Sequence, residues 1–264
     1  MRNSRTKRQG FSLVEVIVSC TVMTLLMVVL GQALVQAQNS FRNVSGTAES
    51  SDSLRKVSRE LRLELLQTSA SQIGVGNSCS SLGSPDGQAL WFLSNLDSNG
   101  QPRFDSIGAP FWTKTVLYYL AVPNSHSSLF GYDCAGGAGP GGYDDRCPHK
   151  VLIRKEIDSG VATNLADDTT AELPMSSAQI ATYLTRPNGY TVTTVGQPGL
   201  RSAEIVGRNL LTFRLSSSIN DTITIDTRAV AIARARTKVA LGAVSLYDSP
   251  YTFSFSLTVI PTVP

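Results

Sequence analysis

The chain has 264 residues, of which 16% are charged, and its formal net charge is +3. This length suffices for one or two domains, and the low charge suits an extracytoplasmic protein better than a cytosolic enzyme. The excess positive charge comes from Arg2, Arg5, Lys7 and Arg8, in a ten-residue segment without an acid. Without these four, 19 basic residues stand against 20 acidic ones, a formal charge of −1. The basic segment therefore indicates a topology signal and not a polyanion-binding surface.

An apolar run of twenty residues, 11–30, follows the basic segment and contains no proline. As a helix rising about 1.5 Å per residue it spans about 30 Å, the thickness of a bilayer core. Because the basic flank precedes the run, the positive-inside rule places the N-terminus in the cytoplasm and the body outside. One carboxylate, Glu15, lies within the run. A charge at membrane depth costs roughly 2.5–3.5 kcal/mol, so Glu15 is expected to have a specific role.

Three kinds of processing compete for this N-terminus. An ordinary signal peptide would be cut after Ala37, at the small-residue site 35–37, and would release a soluble secreted or periplasmic binding protein. Against it, signal peptides have apolar regions of about 7–15 residues, shorter than this run, and a carboxylate inside one is unusual. An uncleaved signal anchor would explain the span and its orientation, but it gives no reason for Glu15.

The third kind of processing rests on the sequence RQG-FSLVE at residues 8–15. It resembles the prepilin peptidase site of type IV pilins and type II secretion pseudopilins. In that family a short basic leader is cut after glycine, the apolar helix is retained and the new N-terminal residue is N-methylated. The resemblance implies cleavage after Gly10 and methylation at Phe11. Glycine suits the junction because a residue without a side chain lets a peptidase approach the backbone closely.

The same resemblance implies a role in assembly for Glu15, the fifth residue of the mature chain. In the family this carboxylate is thought to meet the N-terminal amine of a neighbouring subunit while both are in the membrane. Two charges that are each costly in hydrocarbon become tolerable when they are paired across an interface. Such a pair would also set the axial stagger between neighbouring helices.

Two helical segments are expected after the leader. The helix of the apolar run can continue to Ala37, and polar residues take over from Gln38. Apolar residues then recur at spacings of three, four and four, as in an amphipathic helix that lays one face on a sheet. These residues are Leu54, Val57, Leu61 and Leu65.

Beyond residue 67 the chain consists of short strand-like runs separated by polar connections, without an internal repeat. Two of the runs alternate apolar with small or polar residues, as half-exposed antiparallel strands do. The predicted strands are 89–95, 115–122, 150–157, 210–216, 222–226, 229–236 and 253–260, and a short helix is predicted at 176–184. The predicted fold class is α+β, a long N-terminal helix with a membrane-spanning first half, packed on an antiparallel β-sheet domain.

The order of these elements resembles the larger minor pilins of W type and the minor pseudopilins of J type. It implies a prepilin leader at 1–10, a transmembrane assembly helix at 11–37, an amphipathic second half at 38–68 and an extracytoplasmic β-rich domain at 69–264. The chain would be a single-pass inner-membrane protein with a cytoplasmic N-terminus and a periplasmic or extracellular body. The implied partners are prepilin peptidase, other pilin or pseudopilin subunits and an inner-membrane assembly platform. The chain would initiate a pilus or pseudopilus, or lie near its tip.

The four cysteines lack the spacing of a zinc site. Cys20 lies in the apolar run, where inert packing is expected. Cys134 and Cys147 bracket a glycine-rich loop and can form a disulfide in an oxidising compartment. Pairing of Cys79 with either of them remains an alternative, because sequence does not fix connectivity.

Signals for chemistry are poor, and we expect neither an enzyme nor a cofactor: there are two histidines, and no phosphate loop, nucleophile elbow or zinc-protease motif. Oxygen ligands in the glycine-rich loop are weak candidates for Ca²⁺, with a disulfide-stapled solvent loop as the alternative. They are Asp133, Asp144 and Asp145. Alternate basic residues within 228–238 would suit DNA phosphates, but without interleaved aromatic residues an ordinary exposed strand face is the simpler interpretation. They are Arg234, Arg236 and Lys238.

Overall fold

The computed structural model describes residues 12–78, 88–124, 150–158, 167, 170–192, 194–217, 222–230 and 252–261. The chain divides into two compact units, Met1–Val44 and Ser45–Pro264. The longest element is helix α1, Leu13–Leu65. Proline is absent from this stretch, so every residue after the first turn can donate its backbone N–H to the helix.

The second unit is built on a seven-stranded antiparallel sheet whose strands lie side by side in chain order. Its strands are β1 Ile73–Asn77, β2 Gln88–Ser94, β3 Lys114–Ala121, β4 Lys150–Ile157, β5 Leu200–Ser217, β6 Ile223–Val230 and β7 Thr252–Val259. A 3-10 turn, Ala70–Gln72, precedes β1, and a short helix α2, Ser177–Ala181, precedes β5. The predicted α+β class is confirmed, with a long helix and an antiparallel sheet.

One face of the sheet is covered by the end of α1. The predicted apolar stripe of this helix is buried: Leu54, Val57, Leu61 and Leu65 are each at most 6% exposed. The stripe joins one hydrophobic cluster with sheet side chains, among them Phe92, Tyr118, Leu152 and Phe213. Burial of each such aliphatic or aromatic side chain contributes about 1.5–3 kcal/mol to folding. The end of α1 is therefore held to the sheet mainly by this stripe.

The opposite face of the sheet is also covered, which the sequence did not predict. Met175, Ile180 and Tyr183, in and around α2, join a second hydrophobic cluster with sheet residues that include Trp91. Trp91 Nε1 donates a hydrogen bond of 3.0 Å to the carbonyl oxygen of Met175. Because both faces are covered, all residues of β3 after Lys114 are buried.

A buried lysine ties this outer layer to the sheet. Lys155 of β4 is 0% exposed. Its Nζ donates to the Tyr183 carbonyl at 2.6 Å, to Gln197 Oε1 at 2.9 Å and to Thr185 Oγ1 at 3.1 Å. It also lies 5.3 Å from the ring centroid of Tyr119. These oxygens and the ring replace part of the hydration that the ammonium loses on burial.

Charged groups link α1 to the first face of the sheet. Arg154 Nη2 lies 2.5 Å from Glu64 Oε1 of the helix and 2.6 Å from Glu156 Oε1 of its own strand. The Tyr118 hydroxyl donates to Glu64 Oε2 at 2.6 Å, and Lys114 Nζ lies 2.9 Å from Glu156 Oε1. We call these five residues the Arg154 network.

Burial and charge shift the pKa values of Tyr118 and Glu156 in the Arg154 network. Burial, together with the nearby Glu64 carboxylate, raises the pKa of Tyr118 well above its usual value. Burial alone would raise the pKa of Glu156, but hydrogen bonds from Lys114 and Arg154 outweigh it and the net pKa is lowered. Tyr118 therefore stays a neutral donor at physiological pH, and Glu156 stays a charged acceptor.

Two strand predictions were wrong in extent. β5 has 18 residues and begins at Leu200, whereas only 210–216 was predicted. Its pairing with β4 contains register shifts, and Asn209 has a φ of 58°. This irregular backbone lies where Ser53 of α1 accepts from the Arg208 N–H at 2.9 Å. β6 is one strand to Val230, although two runs, 222–226 and 229–236, were predicted; residues 231–236 lie outside the described part of the chain.

The sequence analysis also missed β1 and overestimated α2. β1 contains Gly74 and Gly76, and glycine usually weakens a strand. Here it is required, because a Cβ on Gly74 would overlap the ring of Trp91. The helix α2 is shorter than the predicted 176–184, and Ser176 is its N-cap in a capping box with Gln179.

The connection between β2 and β3 contains two turns of similar sequence. The sequences DSNGQP and DSIGAP, starting at Asp97 and Asp105, form two successive turns between β2 and β3. Asp97 Oδ1 accepts from the backbone N–H groups two and four residues later at 2.8 and 2.9 Å, and Asp105 Oδ1 does so at 3.0 and 2.7 Å. Gly100 and Gly108 follow at φ values of 74° and 84°, which glycine adopts without strain. Each of the two similar sequences has only six residues, so the composition of the chain does not reveal them.

Candidate assembly helix

The first turn of α1 brings two of the motif residues together. Ser12 precedes the helix, and its carbonyl accepts the N–H of Val16 at 3.2 Å. Glu15 Oε2 accepts a hydrogen bond from the backbone N–H of Ser12 at 2.9 Å, and Ser12 Oγ accepts one from the backbone N–H of Val14 at 3.2 Å. Side chains thus satisfy two backbone donors that a helix start otherwise leaves without partners.

The Ser12–Glu15 pair is a structural feature that the sequence analysis missed. A Ser-x-x-Glu pattern before an apolar run is a known signal for a helix start and was readable at residues 12–15. A carboxylate there also interacts favourably with the positive end of the helix dipole. Glu15 therefore has a local structural role in addition to the predicted contact with an amine.

In the first unit, the surface of α1 is largely apolar. The large apolar side chains from Leu13 to Val35 are each between 50% and 78% exposed. Among the described residues, α1 is the one helix long and apolar enough to cross a membrane, with a mean hydropathy of 2.5 over its most apolar window. This surface needs either lipid or other apolar helices as a cover.

Two threonine hydroxyls inside the apolar segment are satisfied within the helix. Thr21 Oγ1 donates to the Ile17 carbonyl at 2.8 Å, and Thr24 Oγ1 donates to the Cys20 carbonyl at 2.7 Å. Such bonds let hydroxyl groups enter hydrocarbon without an unpaired donor. Cys20 itself is free and exposed on the helix, so it does not pack in a core of this chain.

The remaining predicted site residues lie outside the described residues. They are Gly10, Phe11, Cys79, Cys134, Cys147, Asp133, Asp144, Asp145, Arg234, Arg236 and Lys238. The cleavage, disulfide, calcium and DNA interpretations that depend on them stay predictions. Within the ranges that the structure does describe, no group of three or more His, Cys, Asp or Glu side chains could hold a metal ion.

One comparison with known proteins is informative. Residues 5–31 match the family model described as the prokaryotic N-terminal methylation motif. The comparisons with curated proteins and with solved structures found no match. The matched residues contain the Gly10–Phe11 junction, the Ser12–Glu15 pair and most of the apolar surface. Residues 5–31 therefore carry the N-terminal methylation motif, the prepilin leader of type IV pilins and pseudopilins.

Proposed function

We propose that this chain is the precursor of a minor pilin or pseudopilin, a structural subunit and not an enzyme. The leader would be cut after Gly10, and the retained helix would anchor the chain in the inner membrane before it enters a fibre. The observation that carries the proposal is the methylation motif at residues 5–31, placed at the start of an exposed apolar helix. Prepilin peptidase, other subunits of this class and the assembly platform are its proposed partners.

The geometry of the first turn supports a charge pair at Glu15. Its carboxylate is held on the backbone nitrogen of Ser12. A cut after Gly10 would create an α-amine on Phe11, three covalent bonds from that nitrogen. The carboxylate is therefore positioned at the end of the helix where the new positive charge would appear. Pairing with the amine of a neighbouring subunit would reduce the cost of both charges in hydrocarbon.

The exposed surface of α1 supports assembly through this helix. Lipid can cover the apolar side chains while the chain is in the membrane, whereas in a fibre only protein can. Sister helices would then pack on this surface through van der Waals contact, as apolar helices do in membranes. The layout of a long helix and an antiparallel sheet agrees with a large minor subunit, which we place at the start or the tip of a pilus or pseudopilus.

Substitutions of Glu15 test the proposed mechanism. Glu15→Ala and Glu15→Gln should both be processed and inserted, because neither changes the junction or shortens the apolar segment. Both should reduce incorporation into fibres about tenfold or more, since loss of about 1.4 kcal/mol of pairing already has that effect. Incorporation is measured as the mature chain in sheared fibres relative to the mature chain in membranes.

The glutamine variant separates the two roles of Glu15. Its amide oxygen can still accept the Ser12 N–H, but it carries no charge. If Glu15→Gln incorporates like the wild type while Glu15→Ala does not, helix capping and not charge pairing explains the residue. Normal incorporation of Glu15→Ala would remove the mechanism. Glu49→Gln, at the next acid along α1, serves as the matched control and should incorporate normally.

A further inference from the structure

The second of the two turns between β2 and β3 has an exposed apolar tip. In both turns an aspartate Oδ1 accepts two backbone N–H groups, so the second turn repeats the backbone frame of the first. An isolated bridge closes each turn, from Leu96 to Pro102 and from Phe104 to Pro110. At the tip of the second turn, Ile107 stands where the first turn has Asn99, and it is 87% exposed.

The backbone frame does not require an apolar residue at this place. The Asn99 N–H donates to Asp97 Oδ1 at 2.8 Å, and the Ile107 N–H donates to Asp105 Oδ1 in the same way at 3.0 Å. Phe104, directly before the second aspartate, is also 59% exposed. Large apolar side chains that stay in water do not stabilise a fold. Their presence where a polar residue serves the turn equally well indicates contact with an apolar phase outside the chain.

The backbone of this tip can leave water at little cost. The N–H groups of Ile107 and Ala109 donate to Asp105 Oδ1, and the Gly108 N–H donates to the Asp105 carbonyl at 3.2 Å. The Asp105 N–H donates in turn to the Ala109 carbonyl at 2.8 Å. Backbone groups that enter an apolar phase must be paired within the protein, because that phase supplies no partners. These four N–H groups meet the requirement.

The size of the tip favours lipid over protein as its partner. Two large side chains bury at most about 500 Å². Each partner of a stable protein interface buries roughly 800 Å², so the tip alone would not hold a second copy of this chain. A lipid surface accepts apolar side chains one at a time, and the strength of binding rises with the apolar area inserted.

The charges of the two turns indicate which lipid surface fits. Residues 95–113 contain Asp97, Arg103 and Asp105, a formal charge of −1. Hydrogen bonding from the backbone N–H of Gln101 lowers the pKa of Asp97, so this carboxylate stays charged at neutral pH. A negative surface of anionic lipids would repel this net charge, whereas zwitterionic headgroups would not.

The turns extend from the end of the sheet towards which α1 runs. Ser53 of α1 contacts Arg208, and Glu64, further along the helix, contacts Tyr118 and Arg154. In the strand register, Tyr118 and Arg154 lie closer than Arg208 to the end of the sheet that the turns leave. The tip is therefore directed away from the end of the second unit at which α1 enters it.

We propose that Phe104 and Ile107 form a lipid-binding tip, which inserts into the headgroup region of an uncharged, zwitterionic lipid surface. This surface would be a second one, in addition to the membrane proposed for α1. The lipid-binding tip goes beyond the proposed function, because neither cleavage of the leader nor assembly through α1 depends on it.

Capture of vesicles by the full chain tests the lipid-binding tip. The chain is reconstituted through α1 into phosphatidylcholine vesicles that are fixed to beads, and dye-loaded phosphatidylcholine vesicles without protein are added. The wild type should capture the dye. Ile107→Asn, which copies the first turn, should capture at least about tenfold less, because it removes the most exposed apolar group of the tip. Ile107→Leu and the matched control Asn99→Ser should capture like the wild type.

The fold of the variant is checked by its melting temperature. Ile107→Asn should melt like the wild type, since Asn99 occupies the same backbone frame. Equal capture by Ile107→Asn and the wild type, no capture by the wild type, or capture of anionic phosphatidylglycerol vesicles only would each overturn the inference. So would a loss of fibre incorporation with unchanged capture, which would indicate a protein pocket as the partner. Capture requires neither cleavage after Gly10 nor a fibre, so its failure would leave the proposed function standing.

Discussion

Gly10→Val is expected to abolish maturation of the chain. The valine side chain would stand between a peptidase and the backbone at the junction, where glycine leaves it open. The variant would keep the ten-residue leader with its four basic residues, and it would remain in the membrane as an uncut precursor. Immunoblots or intact masses of membrane fractions should show the precursor alone, and fibres should contain none of it.

Gly31→Val is the matched control for this prediction. Gly31 is also within the matched motif, but it lies inside α1, where an added Cβ meets no atom within 4 Å. Its replacement should therefore leave cleavage intact. Cleavage of Gly10→Val at the wild-type rate would show that the junction is not where this chain is processed.

Arg154→Met should cause a large loss of stability in the second unit. Methionine fills a similar volume, but it leaves Glu64 and Glu156 without the guanidinium that contacts both. Loss of a hydrogen bond to a charged group costs about 1.5–3 kcal/mol. The Glu64 and Glu156 side chains are only 15% and 20% exposed, so water replaces the guanidinium poorly, although Tyr118 and Lys114 remain as their partners. Thermal unfolding of the full chain in detergent should show the sheet unit melting about 5 °C lower, or more.

Lys56→Met provides the comparison at the surface. Lys56 Nζ lies 3.8 Å from Glu60 Oε1 one helical turn away, and the two side chains are 54% and 33% exposed. Water can solvate the glutamate when this pair is broken, so we expect no measurable change in melting temperature. Equal losses for Arg154→Met and Lys56→Met would contradict the burial argument.

The sequence predicted the elements that carry their own local pattern. β3 is a compact apolar run, β4 contains the apolar run 151–153, and the stripe from Leu54 to Leu65 has the period of a helix. β1 and the first half of β5 were missed, because the residues that stabilise these strands lie elsewhere in the chain. Gly74 leaves the space that the ring of Trp91 occupies. Ile205 lies opposite Ile153 of the neighbouring strand β4, although the sequence around Ile205 is polar. Contacts of this kind are set by tertiary packing and leave no local signal.

The same distinction applies to the candidate site. The junction and Glu15 were predictable because each combines a residue type with a position relative to an apolar helix. The Ser12 cap was equally readable, because Ser12 stands three residues before Glu15 at the start of the apolar run. The outer layer over the sheet was not readable, because the oxygens around Lys155 come from residues 28 to 42 positions away.

The intact mass of the mature wild-type chain tests the central claim most directly. A prepilin precursor and a secreted binding protein share the basic segment and the apolar run, but they are cut at different places. The account predicts a mature chain that begins at N-methylated Phe11 and is recovered from the membrane or from fibres. A soluble chain that begins at Gln38, after cleavage behind Ala37, would contradict it.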